Sequence, residues 1–550
     1  MPHASSMPAT GFQAIILCGP GSSFPTFTTN PDKNPKALLL IANRPMVWYP
    51  IEFCHRMGIT NITLIVPPSS APAITVALNT DRHLTSFGLP KPNILAPEGL
   101  DQNTNTAQIF RLPQVREIIK GDFIVLPCDI VCELGGESLL ELWMGKETSI
   151  GSVTTSRGRS AGLNRAENLR QKGMKGGLGV WYETKGEIVV KGEEQDFIAT
   201  SPLEIQPIPP SNLSLLRNTS KLVYSMPTDT LGDLIEEEKG FPIRHSLIRA
   251  HTQIRMLSSH RDAHIYIFPA WILDIINKNT QMDSIGEDLI GFWAKAGWQA
   301  GLGEKLGFGE IFNQSDLSPS EKKRRENSFG YEIIDPDCLS TTWTTDTCDI
   351  KQLDSSPNIV VPPILAYVHP VSNKLIRRVD SAQLLRTVSL QLAKLDSIDM
   401  VGKDASSPFA HQRKIAHTKG IASRTLITKS DCLIAENVIV EENSVIKECV
   451  IGENCRVKSG ARLIRCVLME NVIIGKGCEL TGCILGKNCN IGENSVLQDC
   501  EVQENLLIES ETEDRDNKIM SSEGMEDREE TPDKLHENPT SITAIEPGCG

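Results

Sequence analysis

In the C-terminal third of the chain, aliphatic residues return at steps of six, six and five: Ile434, Val440 and Ile446, then Ile451, Val457 and Leu463, then Leu468, Ile474 and Leu480, then Leu485, Ile491, Leu497 and Val502. The full period is 17 residues in three legs, which predicts a solenoid, because so short a unit can bury its apolar face only against its neighbours. In the six-residue legs the third residue after each aliphatic one is Asn437, Asn443, Asn454, Gly460, Asn471, Gly477, Asn488, Asn494 or Asn505. Asn and Gly tolerate left-handed backbone angles, which a corner at every sixth residue requires. Val438, Ser444, Cys455, Ala461 and Val472 follow these corners and are expected to point inward, so the pattern predicts a parallel β-helix. In the five-residue legs the same offset carries Cys449, Cys466, Cys483 and Cys500, with Cys432 one period earlier. Stacked coils place such sulfurs about 4.8 Å apart in single file, whereas zinc wants a tetrahedral cluster. The ladder therefore reads as small buried hydrophobes filling a narrow corner, with a metal or redox role as the alternative.

The N-terminal part has a different rhythm. The apolar run Phe12 to Leu17 feeds directly into Cys18-Gly19-Pro20-Gly21-Ser22-Ser23, a buried strand followed by a glycine turn. Such a turn lets backbone N–H groups approach a phosphate, or is simply a tight connection. Asn34 to Leu40 and Asn43 to Glu52 then supply a lysine, an extended segment and a helix start, and strands follow at Ile62 to Val66 and Phe123 to Leu126. The second of these ends in Pro127-Cys128-Asp129, which sets a carboxylate where open α/β sheets bind ligands. Asp129 is there either a magnesium-binding group or a turn-capping acid, and Lys36 either a phosphate contact or a solvated lysine. An α/β nucleotide-binding domain is expected over 11–400, with inserted loops near 201–220 and 315–330. After a strand at Ile364 to Val368, Arg377 to Leu395 has helical spacing and should close the domain. A linker over 401–420, the β-helix over 421–508 and a tail over 509–550 complete the organisation. From Glu509 to Glu537 the tail holds twelve acidic and four basic residues, a composition expected to be disordered.

Composition narrows the classes. With 550 residues and 40% hydrophobic content, the chain can bury two or three cores. A net charge of −14 argues against a nucleic-acid backbone as the main partner, so no direct DNA contact is expected. The basic run Lys322 to Arg325 reads as a solvated loop, a local RNA or acidic contact being the alternative. No apolar run approaches the roughly 18 residues of a membrane span, and the first ten residues lack a signal-type core. A cytosolic protein without membrane contact is expected, its 15 cysteines reduced.

The ordered series of the glycine turn, Pro35-Lys36, Arg44-Pro45-Met46, Thr106-Ala107 with Arg111, and Cys128-Asp129 resembles the sugar nucleotidyltransferase family, as do His264 to Phe268 and Ile285 to Ile290. With the repeats behind it the resemblance covers 11–508, and within that set it is similar to the gamma subunits of translation initiation factor 2B. It implies an α/β, Rossmann-like nucleotidyltransferase domain followed by a left-handed parallel β-helix of hexapeptide repeats. It also implies a chain that pairs with an epsilon subunit, joins the alpha, beta and delta subunits, and promotes exchange of GDP for GTP on initiation factor 2. Active relatives carry an arginine after the glycine turn, where this chain has Ser22-Ser23-Phe24-Pro25, and Pro20 removes a backbone donor. The expectation is a non-catalytic subunit with no catalytic residue, metal or cofactor, and with Gly19, Gly21, Lys36, Thr106 and Asp129 as a vestigial nucleotide site. The short tail leaves no room for the exchange domain that the resemblance assigns to epsilon, and no histidine lies between His417 and His536 to serve acyl transfer, as in other β-helix enzymes. The alternatives are a mannose-1-phosphate guanylyltransferase or a regulatory subunit of one.

Overall fold

The computed structural model describes residues 11–87, 90–100, 104–148, 175–185, 190, 192–203, 214–241, 243–314, 361–371, 374–403, 405–417 and 419–521. Its N-terminal strands are β1 (Gln13–Leu17), β2 (Leu40–Ile41), β3 (Arg44–Pro45), β4 (Asn61–Ile65), β5 (Asn93–Leu95), β6 (Phe123–Pro127), β7 (Ile130–Cys132), β8 (Gly177–Glu183), β9 (Asp196–Pro202), β10 (Thr219–Pro227), β11 (Arg255–Phe268), β12 (Ile364–His369) and β13 (Ile376–Arg378). Nine of them form one sheet in the order β5-β4-β1-β6-β11-β8-β12-β10-β9. The first four run parallel, β11 runs against both β6 and β8, and β9 also pairs with the first half of β11. Where both faces of this sheet are covered, as at β1 and β6, the strands are apolar almost without interruption, whereas the first half of β11 is more polar and partly exposed. Ala14, Ile16, Leu64 and Leu126 face one apolar layer, while Ile15, Ile65 and Val125 face another. No helix among the described residues is long and apolar enough to cross a membrane.

The C-terminal part consists of three parallel sheets of six, six and five short strands. Each strand pairs with the strand one period on, as in the inward column Ile446, Leu463, Leu480 and Leu497. This arrangement fits the expected β-helix. The Asn corners adopt positive φ, from 55° at Asn494 to 58° at Asn454 and its equivalents. A second set of corners was hidden in the sequence: Glu448, Arg465 and Asp499 also adopt positive φ, each just before a ladder cysteine. The cysteines do more than fill space there. Cys466 donates its S–H toward the carbonyls of Ile464 and Leu480, both at 3.3 Å, and Cys483 does the same toward Thr481 at 3.4 Å and Leu497 at 3.3 Å. The thiols thus add a weak second contact to carbonyls that the coils already pair, Ile464 O accepting from Gly482 N–H at 2.9 Å and Thr481 O from Asp499 N–H at 2.7 Å.

The five-residue legs read as apolar pairs (Val450-Ile451, Val467-Leu468, Ile484-Leu485) because they are buried on both sides. Their second residues face the coil interior, while Leu433, Val450, Val467 and Ile484 join the N-terminal core beside Leu385, Val388 and Leu392 of the helix Ala382–Lys394. That helix starts at Ser381, whose hydroxyl accepts from Leu384 N–H at 3.3 Å. Arg377 and Arg378, expected to begin the helix, belong instead to β13, which pairs with β7.

Other boundaries also move. The loop expected near 201–220 is shorter at both ends, since β9 runs to Pro202, Leu215–Asn218 form a 3-10 turn and β10 starts at Thr219. The loop near 315–330 and the run Lys322 to Arg325 lie outside the described residues. Ile415, inside the expected linker 401–420, already bridges to Ile434, and Ile421, the first residue of the expected β-helix, bridges to Val440, so the first coil begins within the linker. The β-helix does not stop at residue 508: Glu513–Arg515 and Lys518–Ile519 pair with Val496–Gln498 and Glu501–Val502. The sequence hides this last coil because Asp514 stands in register with Leu497, so the apolar signal ends one coil before the backbone pairing does. Asp514 accepts a hydrogen bond from Asn517 Nδ2 at 2.9 Å, giving the solenoid a polar cap.

Candidate functional site

β1 and β6 end side by side, with Leu17 opposite Pro127, so the glycine turn and Asp129 emerge at neighbouring strand ends. Between them and Thr106, at the start of the helix Thr106–Arg111, lies a cavity of about 290 Å³. Gly19, Lys36, Thr106 and Asp129 line it. The Thr106 hydroxyl accepts from Ile285 N–H at 3.0 Å, which ties the Ile285 to Ile290 segment to the cavity wall. Gly21 is off the wall and shapes the turn, with φ +94° and a Cβ position that would lie 3.0 Å from the Thr28 side chain. Two other motif residues also serve the scaffold. Arg44 donates to the carbonyls of Phe409 at 2.8 Å and Ala410 at 2.9 Å, and Arg111 to those of Ile276 at 3.0 Å and Asn279 at 2.7 Å.

The first loop is folded shut. Phe24 N–H donates to Gly21 O at 2.9 Å, and the N–H groups of Phe27 and Thr28 both donate to Phe24 O at 3.0 Å. The Thr28 hydroxyl lies 2.8 Å from the carbonyls of Gly21 and Phe24. Phe24 and Phe27 are each 1% exposed, so the loop is anchored by burial of two aromatic rings, worth about 1.5–3 kcal/mol apiece. Thr26 reaches the β-helix, donating to Glu501 at 3.1 Å. Lys36 Nζ stands 5.6 Å from the Phe24 ring centroid. The N–H groups of Phe24, Phe27 and Thr28 are thus turned onto the loop's own carbonyls, while Gly19, Pro20 and Ser22 line the cavity.

The electrostatic centre is Asp129. Lys36 Nζ lies 2.8 Å from its Oδ2, and Arg378 Nε lies 3.6 Å from its Oδ1. Burial alone would raise the Asp129 pKa, but Lys36 and Arg378 together hold it below the usual carboxylate range. For Lys36, burial favours the neutral amine and Asp129 outweighs it, so the ammonium persists. His264 lines the cavity from a bulge in β11, at φ +52° between Asp262 and Tyr266. Burial and then Arg378 depress its pKa well below normal, so it is neutral near pH 7. Behind the cavity, burial and Asp196 push Asp262 up to about 7, and Tyr266 O–H donates to it. A further network links Arg378 to Asp380 at 3.8 Å, Asp380 to Arg261, and Arg261 to Glu194 at 3.0 Å.

Sequence reasoning missed Arg378. The available signal was the pair Arg377-Arg378 with Asp380 close behind, but helical spacing had absorbed it. A magnesium ion at Asp129 does not fit these residues. Both carboxylate oxygens face cations, and among the described residues no other carboxylate lines the cavity and no three His, Cys, Asp or Glu side chains cluster.

Residues 428–529 match a family model described as the GMPPB C-terminal domain. The chain is also similar to the translation initiation factor eIF2B subunit gamma of Schizosaccharomyces pombe, with 25% identity over 288 residues. That stretch covers 52% of this chain and 52% of the relative, so the chain spans about half the length of the curated relative it matches. The two findings bear out the resemblance to an eIF2B gamma-like chain that the motifs suggested.

Proposed function

We propose that this chain is a non-catalytic subunit of the guanine-nucleotide exchange factor for translation initiation factor 2. It pairs with an epsilon subunit, joins the alpha, beta and delta subunits, and promotes exchange of GDP for GTP without performing chemistry of its own. Its place of action is the cytosol. The similarity to the eIF2B gamma subunit supports a translation initiation role. The observation that carries the non-catalytic reading is the closed first loop, in which Phe24 packs beneath Lys36 and no guanidinium follows the glycine turn. A transferring triphosphate needs several fixed cations, and losing one costs on the order of a thousandfold in rate. Gly19, Lys36, Thr106 and Asp129, with Gly21 shaping the turn, remain a vestigial nucleotide site in this reading.

The test is recovery of the tagged full-length chain from its own cells, with its partners identified by mass spectrometry. An epsilon subunit and initiation factor 2 should co-purify, and recovery without either would sink the proposal. The C-terminal match favours a second reading, a mannose-1-phosphate guanylyltransferase or its regulatory subunit. An enzyme of that kind would release pyrophosphate from GTP and mannose 1-phosphate with magnesium, while a regulatory subunit would show ligand-induced melting shifts without turnover.

A further inference from the structure

The charged groups of the cavity converge on Asp129, Lys36 Nζ at 2.8 Å from one carboxylate oxygen and Arg378 Nε at 3.6 Å from the other, and neither Asp129 Oδ1 nor Arg378 Nε has a closer hydrogen-bond partner. Arg378 owes its position to backbone pairing: β13 sets it in register with Ile130, and Val379 N–H donates to Asp129 O at 2.8 Å. The pairing thus fixes the Arg378 main chain beside Asp129. Arg378 Nη1 lies 3.3 Å from His264 Nε2 and its Nη2 3.8 Å from Asp380, so the planar fork is held from three sides. A divalent cation at Asp129 would need carboxylate oxygen at about 2.0–2.1 Å with further oxygen ligands around it. Instead it would meet two positive charges and, among the described residues, a single acid.

We propose that Arg378 fills the place beside Asp129 that a divalent cation would require, so that the cavity is closed to Mg²⁺ and Mn²⁺. Among the described residues that line the cavity, Lys36 and Arg378 are the cations that would meet a phosphate-bearing ligand, with Asp129 offsetting one of their two charges. A net of one positive charge matches a phosphate of low charge and leaves most of the charge of a metal-free triphosphate uncompensated. This charge balance is independent of the assembly the chain joins, so partner recovery and metal binding fail separately.

Mn²⁺ binding to the full-length chain, counted by electron paramagnetic resonance, tests the proposal. Wild type and Asp129→Asn should bind the same number of ions, since surface acids contribute equally to both. Arg378→Gln should bind one more, at least about tenfold tighter than the surface ions, and lose it again when Asp129→Asn is added. Arg378→Lys should count like wild type. One extra ion in wild type over Asp129→Asn would overturn the proposal, as would a folded Arg378→Gln that gains none. Should Arg378→Gln fail to fold, the wild-type and Asp129→Asn counts decide alone.

Discussion

Leu463 in the β-helix finds its neighbours Ile446 and Leu480 one period away on either side, whereas Thr26 in the first loop finds Glu501 across 475 residues of chain. In the solenoid every coil repeats the same contacts, so a residue's role can be read from its position in the period. At the cavity each charged group has a different partner from a different element: Lys36 follows the first loop, Asp129 ends β6, His264 sits on a bulge and Arg378 comes from β13. Repetition makes structure legible, and convergence of single residues makes a site that no local pattern announces.

Removing a member of the convergent cluster should hurt most. Asp129→Asn leaves Lys36 and Arg378 facing each other without their anion, and breaking a buried pair in this way costs about 4 kcal/mol, measurable by urea unfolding. A loss under about 1 kcal/mol would mean that water screens the triad. In the repeat, Leu480→Ala should cost about 3 kcal/mol, because its fully buried column leaves a cavity between two coils. Full-chain melting should lose cooperativity if the coils open separately from the α/β domain, and stay single if the shared apolar layer couples them.

Asp262 gives a pH signature outside the solenoid. Its folded pKa, about 7, lies above its unfolded value near 4. Its contribution is therefore complete below about pH 4 and is lost as pH rises through 7. Three pH units at about 1.4 kcal/mol each bound the loss at about 4 kcal/mol, and relaxation around the buried carboxylate should leave roughly 2 kcal/mol. Asp262→Asn should flatten stability between pH 4 and 8, while an unchanged slope would assign the effect elsewhere. Cys466→Ala should cost about 1 kcal/mol through the buried volume it removes, since Gly482 N–H still pairs the Ile464 carbonyl, and a loss well above that would show that the S–H contacts to Ile464 and Leu480 carry energy of their own. The smallest change expected is a gain: Asp514→Leu extends the column of Leu497 and should stabilise the last coil by about 0.5 kcal/mol in the same unfolding assay. A loss instead would show that the polar cap matters more than the apolar column.

What the amino-acid sequence determined by itself was everything with a period or a local turn: the 17-residue coil, its Asn and Gly corners, the apolar strand that feeds the glycine turn, and the candidates Gly19, Lys36, Thr106 and Asp129. Those features depend on backbone preferences and on burial of neighbouring residues, which are local. Tertiary structure alone decided that Glu448, Arg465 and Asp499 turn corners, because pairing to adjacent coils overrides their weak preference for positive φ. It also decided that Arg378 belongs to a strand and not to the helix behind it, that the coils continue past Asp514, and that the first loop closes over Phe24. For the corners, the strand and the last coil the partner lies outside the residue's own neighbourhood, which carries no record of it, while the first loop combines local bonds from Gly21 to Thr28 with burial of Phe24.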